Sequence, residues 1–122
     1  MSREKIDYGI DLGTTNSAIA VMDKGNVKII KSDRYQKDTM PSCVQYTNKQ
    51  QIRVGDDALN GFRQELARVK DGESLNAYLE FKRTMGTDKK YFSSNMDQTY
   101  TSEDLSSEIL KKLKSFVKDG EM

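Results

Sequence analysis

The spacing of hydrophobic and polar residues along this chain changes near residue 55, from a period of two to a period of three to four. Before that point, apolar and polar residues alternate over 6–12, and short apolar runs follow at 18–22 and 27–30. Both patterns are typical of strands, and the Asp-Lys-Gly-Asn sequence at 23–26 is typical of a hairpin turn. The sequence therefore predicts a three-stranded antiparallel meander at the start of the chain.

A polar connector and a second hairpin are predicted next. Residues 32–42 are polar and irregular, and Pro41 restricts Met40 to extended backbone. Two β-rich stretches at 43–47 and 51–54 then flank the turn sequence Asn-Lys-Gln. This arrangement favours two paired strands joined by a short turn.

Two short amphipathic helices are predicted from the period of three to four. The first covers 59–69 with Asp56 as its N-cap, and the second covers 75–85 with Ser74 as its N-cap and Gly86 as its stop. The apolar positions that define these faces are Leu59, Phe62, Leu66 and Val69 in the first helix and Leu75, Tyr78, Phe81 and Met85 in the second.

The last predicted helix has the clearest boundaries. Thr101 with Asp104 three residues later indicates an N-terminal cap, and apolar residues then recur on one face over 105–117. Several lysines between 111 and 118 lie near its C-terminal end, where positive charge favours the negative end of the helix dipole. We interpret these lysines as a solvated face.

Composition narrows the classes of function. The 20 lysines and arginines balance 19 acids to a net charge of +1, so no bulk charge attracts nucleic acid or an anionic membrane. The single cysteine, Cys43, excludes a disulfide within the chain, and the absence of histidine excludes histidine-based catalysis and leaves no basis for a zinc site. No apolar stretch approaches the roughly 20 residues that cross a bilayer, and no secretory leader precedes the first predicted strand. We therefore expect a cytoplasmic protein without nucleic-acid or membrane partners.

A polar segment between the first two predicted strands is the best candidate for chemistry. Gly13 lacks a Cβ, which lets a phosphate approach main-chain amides, and consecutive amides and polar side chains follow at Thr14, Thr15, Asn16 and Ser17. Asp11 is placed to hold a hydrated magnesium ion against such phosphates. The same residue types also form ordinary hairpin turns, so residue chemistry leaves both interpretations open. Neither GxxxxGK[ST] nor GxGxxG occurs, which excludes a P-loop and a Rossmann fingerprint.

Five segments together resemble one protein family. The segment "IDLGTTNSAIAVMDKG" resembles the first phosphate motif of the 70-kilodalton heat-shock chaperones, which belong to the actin-like ATPases. Four further segments resemble motifs of that family in the family's order, namely "TMPSCVQYT", "RVGDDALN", "FKRTMG" and "SSEILKKLKSFVKD". Five matches in one order are more specific than any single motif.

The resemblance implies a fold and its division. It implies an α/β fold, the N-terminal part of an actin-like, ribonuclease-H-like ATPase domain. The first β-meander with the phosphate loop would cover 1–38, a reduced inserted α/β subdomain would cover 39–100, and a long helix returning to the first lobe would cover 101–122. The short stretch "TDKKYFSSNMDQTYT" resembles the branch of the family with a shortened second subdomain.

The resemblance also implies functional residues. Asp11 matches the family's aspartate near the water-coordinated magnesium, and Lys82 matches the lysine that reaches the γ-phosphate and the attacking water. By its residue type alone, Lys82 is an ordinary surface lysine, and its neighbour Arg83 is expected to form an ion pair within the fold. The residues that match the loop around the β- and γ-phosphates of ATP or ADP are Gly13, Thr14, Thr15 and Asn16.

The implied function is that of an ATP-dependent molecular chaperone. A longer parent would bind and hydrolyse ATP with magnesium to control its binding of unfolded polypeptide clients, together with co-chaperones, through regions beyond Met122. For the fragment we expect weak or absent ATP binding, because the adenosine pocket would be missing, and self-association or domain swapping through exposed strand edges. Two alternatives remain open at this point, another actin-like ATPase such as a sugar kinase and a non-catalytic interaction fragment.

Overall fold

The computed structural model describes residues 7–23, 25–32, 35–69 and 75–117. Within these ranges the chain forms a mixed α/β structure with antiparallel sheets and two α-helices, which confirms the α/β class predicted from the sequence. The features predicted at Ile6, Lys24, Ser74 and Lys118 lie outside the described residues.

The first sheet is the predicted meander with one additional strand. Strands β1 (Asp7–Leu12), β2 (Asn16–Asp23) and β3 (Asn26–Ile30) pair antiparallel in chain order. Gly25 in the β2–β3 turn has a φ of 83°, which glycine adopts without steric cost. A short strand β4 (Met40–Pro41), which lies in the predicted connector, pairs with the start of β2. This pairing places the residues after β4 beside the β1–β2 turn.

The second sheet contains the predicted second hairpin. Its strands are β5 (Cys43–Tyr46), β6 (Ile52–Val54) and β7 (Ala77–Leu79), in the order β6, β5, β7. The β5–β6 hairpin is closed by a hydrogen bond of 2.8 Å from Thr47 N–H to Gln51 O. All four residues of β5 are buried because this central strand has neighbours on both edges and packs into the core.

The helix predicted over 75–85 is wrong. This segment forms β7 and then a 3₁₀ helix at Phe81–Thr84, with Glu80 between them at a φ of 55°. Strand β7 forms its backbone hydrogen bonds with β5, where Tyr78 lies opposite Val44. Tyr78 and the first residue of the 3₁₀ helix are both buried in the core. Their three-residue spacing therefore imitates a helical face, although the two residues belong to different elements.

Helix α1 (Asp56–Arg68) confirms the first predicted helix but not its predicted cap, and the positions of its predicted apolar face are half-buried except for Leu66. Gly55, with a φ of 85°, is the N-cap in place of Asp56. Gly61 is buried, and a Cβ there would lie 2.1 Å from a side-chain oxygen of β5. Leu66, which was predicted to face the core, is 54% exposed. Small residues rather than the leucine stripe therefore set the close approach of α1 to the second sheet.

The remaining elements are a hairpin and a helix. Strands β8 (Lys90–Ser93) and β9 (Gln98–Thr101) form a hairpin that the sequence patterns did not predict. Helix α2 (Ser102–Ser115) confirms the last predicted helix and its cap, because Thr101 Oγ1 accepts a hydrogen bond from Asp104 N–H and Thr101 N–H donates to Asp104 Oδ2. Neither α-helix of the described segments is long and apolar enough to cross a lipid bilayer.

The hydrophobic core joins both larger sheets through α2. The helix packs against β1 and β2 of the first sheet and against β5 and β6 of the second. Tyr46 of β5 stacks on Tyr100 of β9 with ring centroids 4.4 Å apart, which extends the core toward the β8–β9 hairpin. The buried residues of the core are Ile19, Met40, Val44, Tyr46, Tyr78, Phe81, Leu105, Ile109, Leu113 and Phe116.

Candidate functional site

The β1–β2 loop (residues 13–16, the last of which also begins β2) is a tight turn at the end of the first hairpin. Leu12 and Ser17 form the last cross-strand pair before the loop. A Cβ on Gly13 would lie 2.2 Å from the main-chain oxygen of Asn16, a distance that real Cβ atoms essentially never show. Glycine at position 13 therefore allows the chain to reverse without opening the loop.

Ser42, the residue after β4, anchors this loop. Its N–H donates a hydrogen bond of 2.9 Å to Thr15 O, and its hydroxyl donates one of 2.8 Å to Gly13 O. Its Oγ also lies 2.8 Å from the Oγ of Ser17. Both serines are buried, so the Ser17 hydroxyl, which the sequence offered as a further phosphate donor, lies in the interior instead. Two carbonyl groups of the loop are therefore tied to the protein interior through one residue.

The N–H groups of the loop differ in their hydrogen bonding from the two carbonyl groups that Ser42 binds. Among the hydrogen bonds between described residues, none is donated by the N–H of Thr14 or Thr15. Thr15 and Asn16 are exposed, and Gly13 and Thr14 are partly exposed. The loop thus presents polar main-chain groups at the surface while its carbonyl groups at two positions point toward Ser42.

Asp11 lies beside the loop near the end of β1. Its side chain is exposed, and its cross-strand neighbour is the small residue Ala18. Leu12 packs against the core, so the two consecutive residues face opposite sides of the sheet. The described ranges contain no group of three or more His, Cys, Asp or Glu side chains arranged to hold a metal ion. A single carboxylate beside a polar loop suits a hydrated magnesium ion that phosphates also hold.

Lys82 lies on the 3₁₀ helix, away from the hydrogen bonds of the loop. Phe81 is buried and fixes this helix against α2, whereas the Lys82 side chain is exposed. Between described residues, no hydrogen bond or ion pair links Lys82 to the β1–β2 loop. Arg83 Nε lies 3.5 Å from Glu80 Oε2, which confirms the ion pair expected for that residue. The structure brings Asp11 and the loop together, and it does not join Lys82 to them.

A cavity of about 310 Å³ adjoins the loop at Asn16. Lys37, Asp56 and Arg63 are among the residues of its wall, and Lys37 Nζ lies 2.9 Å from Asp56 Oδ1. The sequence patterns did not assign these residues to a site, because they come from the predicted connector and from α1. The pairing of β4 with β2, together with the hydrogen bonds of Ser42, holds the connector next to the loop.

Comparisons with known proteins agree on one family. The profile of the Hsp70 protein family matches residues 7–120. The protein named chaperone protein DnaK from Methanothermobacter thermautotrophicus (strain Delta H) is 40% identical over 123 aligned positions, which include 98% of this chain. The chain spans only 18% of the length of that relative. The family resemblance of the five segments is therefore confirmed, and this chain belongs to the Hsp70 protein family.

Proposed function

We propose that the β1–β2 loop binds the β- and γ-phosphates of ATP or ADP as part of the actin-like ATPase domain of a chaperone. The observation that carries this proposal is the anchoring of the Gly13 and Thr15 carbonyl groups on Ser42. Main-chain N–H groups of a tight turn form a concave anion site when the carbonyl groups are held away. Membership of the Hsp70 family supports a nucleotide as the source of the anion.

In this proposal Asp11 holds magnesium through water molecules. A carboxylate beside a phosphate is repelled by it, and a divalent cation between the two removes that repulsion. When bound, magnesium neutralises negative charge on the phosphate oxygens. Gly13 leaves room for close approach of the phosphates, and Thr14, Thr15 and Asn16 donate hydrogen bonds to them.

We assign Lys82 the role of neutralising charge at the γ-phosphate and orienting the attacking water. The match of "FKRTMG" to the family motif supports this role, and the exposed side chain on a helix fixed by Phe81 is compatible with it. Arg83 is a matched control, because it is exposed on the same helix. In the full-length protein, Lys82→Ala should lower ATP turnover by roughly 10²-fold or more, while Arg83→Ala should change it little. A phosphate-release assay in which Lys82→Ala equals wild type would contradict the assignment.

The wider activity belongs to a longer protein, since the chain spans 18% of the length of its DnaK relative. We propose that this protein is a cytoplasmic chaperone that couples ATP hydrolysis to the binding of unfolded polypeptide, with co-chaperones as partners. The division into 1–38, 39–100 and 101–122 stays a prediction. For the chain by itself we expect only weak binding, through the phosphates alone.

The phosphate site is testable on the chain itself with inorganic tripolyphosphate, which needs no adenosine pocket. In ¹⁵N-HSQC spectra, millimolar tripolyphosphate should shift the amide signals of Thr14, Thr15 and Asn16, and magnesium should strengthen this binding. Asp11→Asn should lose the gain from magnesium. Without magnesium, the same variant should bind tripolyphosphate a few-fold more tightly than wild type, because it removes a negative charge beside the ligand.

Two results would contradict the proposal. If tripolyphosphate does not shift the loop amide signals of the wild-type chain, the proposed phosphate site is wrong. Loop shifts that respond to magnesium equally in wild type and in Asp11→Asn would keep the phosphate site but remove Asp11 from it. In the full-length protein, unchanged ATP turnover in Asp11→Asn would contradict the same assignment.

A further inference from the structure

We propose that Ser42 is a positioning residue for phosphate binding. This inference rests on the proposed function of the β1–β2 loop. Ser42 contacts the loop through both its main chain and its side chain, at Thr15 O and at Gly13 O. It is 3% exposed, so its hydroxyl lies beneath the loop and is held by the protein rather than by solvent. Ser42 therefore acts on the ligand through the loop.

The two hydrogen bonds fix the direction of two peptide groups. The described residues contain no cis peptide bond, and in a trans peptide the C=O and the following N–H point in opposite directions. With Gly13 O directed at the Ser42 hydroxyl, the N–H of Thr14 points away from Ser42. With Thr15 O directed at the Ser42 N–H, the N–H of Asn16 points away as well. One serine therefore orients two of the N–H groups that we propose to bind phosphate.

A second serine completes this arrangement. The Ser42 hydroxyl has one proton, and it donates that proton to Gly13 O. The Ser17 hydroxyl, whose Oγ lies 2.8 Å away, must therefore be the donor to Ser42 Oγ. Ser17 is fully buried. The result is a chain of hydrogen bonds from Ser17 through Ser42 to the loop, in which each bond polarises and strengthens the next.

Ser42 also prevents electrostatic repulsion between the loop carbonyl groups and a bound phosphate. A free carbonyl oxygen carries partial negative charge and repels a phosphate if it turns toward the ligand. Each carbonyl held by Ser42 is kept out of the binding face. Removing the hydroxyl releases Gly13 O, and the Gly13–Thr14 peptide then samples orientations that present the oxygen instead of the N–H to the ligand.

The test compares Ser42→Ala with a matched control, Ser93→Ala. Ser93 is also buried, and its hydroxyl likewise makes two hydrogen bonds, to Asn76 Oδ1 at 2.7 Å and from Met96 N–H at 3.2 Å. Both variants should lose similar stability. In the magnesium tripolyphosphate titration followed by ¹⁵N-HSQC, Ser42→Ala should bind roughly fivefold to tenfold more weakly, the effect of one lost hydrogen bond. Ser93→Ala should bind as wild type does.

The outcomes separate this inference from the proposed function. Wild-type chain without loop shifts overturns the phosphate site and with it the role of Ser42. If the loop amides shift in wild type and Ser42→Ala binds tripolyphosphate as tightly as wild type does, the role of Ser42 alone is overturned. If Ser93→Ala weakens binding as much as Ser42→Ala does, the effect comes from lost stability and not from positioning, and the role of Ser42 is overturned too. If Ser42→Ala does not fold, Ser17→Ala serves in its place, because it removes the hydrogen-bond donor to Ser42. Ser17→Ala should weaken tripolyphosphate binding by about twofold to threefold. Unchanged affinity in Ser17→Ala would overturn the inference.

Discussion

Replacing Gly13 by alanine tests the loop geometry against a matched glycine on the same hairpin. A Cβ at position 13 would lie 2.2 Å from Asn16 O, whereas ordinary van der Waals contact begins at 3.4 Å. The loop must therefore open by roughly 1 Å, and forcing a methyl group into a tight site costs about 1–3 kcal/mol. At Gly9 in β1, the nearest atom to a new Cβ is 3.9 Å away. Alanine there should be neutral or should stabilise the strand by roughly 0.5–1 kcal/mol, because glycine loses more backbone entropy on folding.

Urea unfolding followed by circular dichroism measures both variants under the same conditions. With a slope of about 1–3 kcal/mol per molar urea, Gly13→Ala should lower the unfolding midpoint by roughly 1 M. Gly9→Ala should not lower it. Equal midpoints for the two variants would refute the close approach of Gly13 to the Asn16 carbonyl group. Amide shifts in folded Gly13→Ala should concentrate in the loop and around Ser42, since these groups share hydrogen bonds.

Further predictions concern reactivity, pH dependence, the helix cap and self-association. Cys43 is fully buried, and burial raises the pKa of its thiol to about 12. Iodoacetamide at pH 8 should therefore alkylate Cys43 far more slowly in the native chain than in urea. Equal alkylation rates, measured by mass spectrometry, would contradict this burial. Burial also raises the pKa of Tyr78 to about 12. The Cys43 thiol and the Tyr78 hydroxyl hold their protons more tightly in the folded state, so their contribution to stability is complete below the pKa values of the unfolded chain. The free energy of unfolding should therefore fall as pH rises from about 9 toward 12. Urea titrations at about pH 8 and about pH 10.5 would show this fall. Thr101→Ala removes the cap of α2 and should cost about 0.5–2 kcal/mol in the same assay, and no loss would show that the cap contributes nothing. Val27 is 66% exposed on β3, and we predict concentration-dependent sedimentation that Val27→Lys reduces and that Leu66→Lys, on the exposed side of α1, does not. A sharply monomeric profile of the unmodified chain at high micromolar concentration would contradict this prediction.

Local signals were sufficient for the elements whose hydrogen bonds lie close in sequence. The β1–β2–β3 meander and the β5–β6 hairpin follow from alternation and turn residues, and the start of α2 follows from Thr101 and Asp104. These elements form with neighbours only a few residues away, so a short stretch of sequence contains the relevant interactions.

Elements that depend on distant partners could not be predicted in this way. Strand β7 exists because it pairs with β5, and without that partner the spacing of Tyr78 and Phe81 resembles a helix. Strand β4 is too short for any pattern and is defined by its pairing with β2. The buried face of α1 depends on how closely Gly61 approaches the sheet, which the leucine positions do not indicate.

The candidate site shows the same division. Gly13 and Asp11 follow from residue chemistry beside a predicted turn, and the structure places them next to each other on β1 and its loop. The contact of Ser42 with this loop depends on the tertiary fold, because its hydrogen bonds join segments far apart in sequence. Lys82 carries no local signal, and its role is inferred from the family motif alone.

The most direct test of the phosphate site uses Mn²⁺ in place of magnesium, because this paramagnetic ion broadens the amide signals of nearby residues. With tripolyphosphate present, we predict broadening centred on Asp11 and the β1–β2 loop, and the broadening should disappear from this region in Asp11→Asn. The acidic first turn of α2, at Glu103 and Asp104, serves as an internal control that tripolyphosphate should not affect. Broadening at α2 or across the whole surface, without a maximum at the loop, would contradict a magnesium and phosphate site at this position.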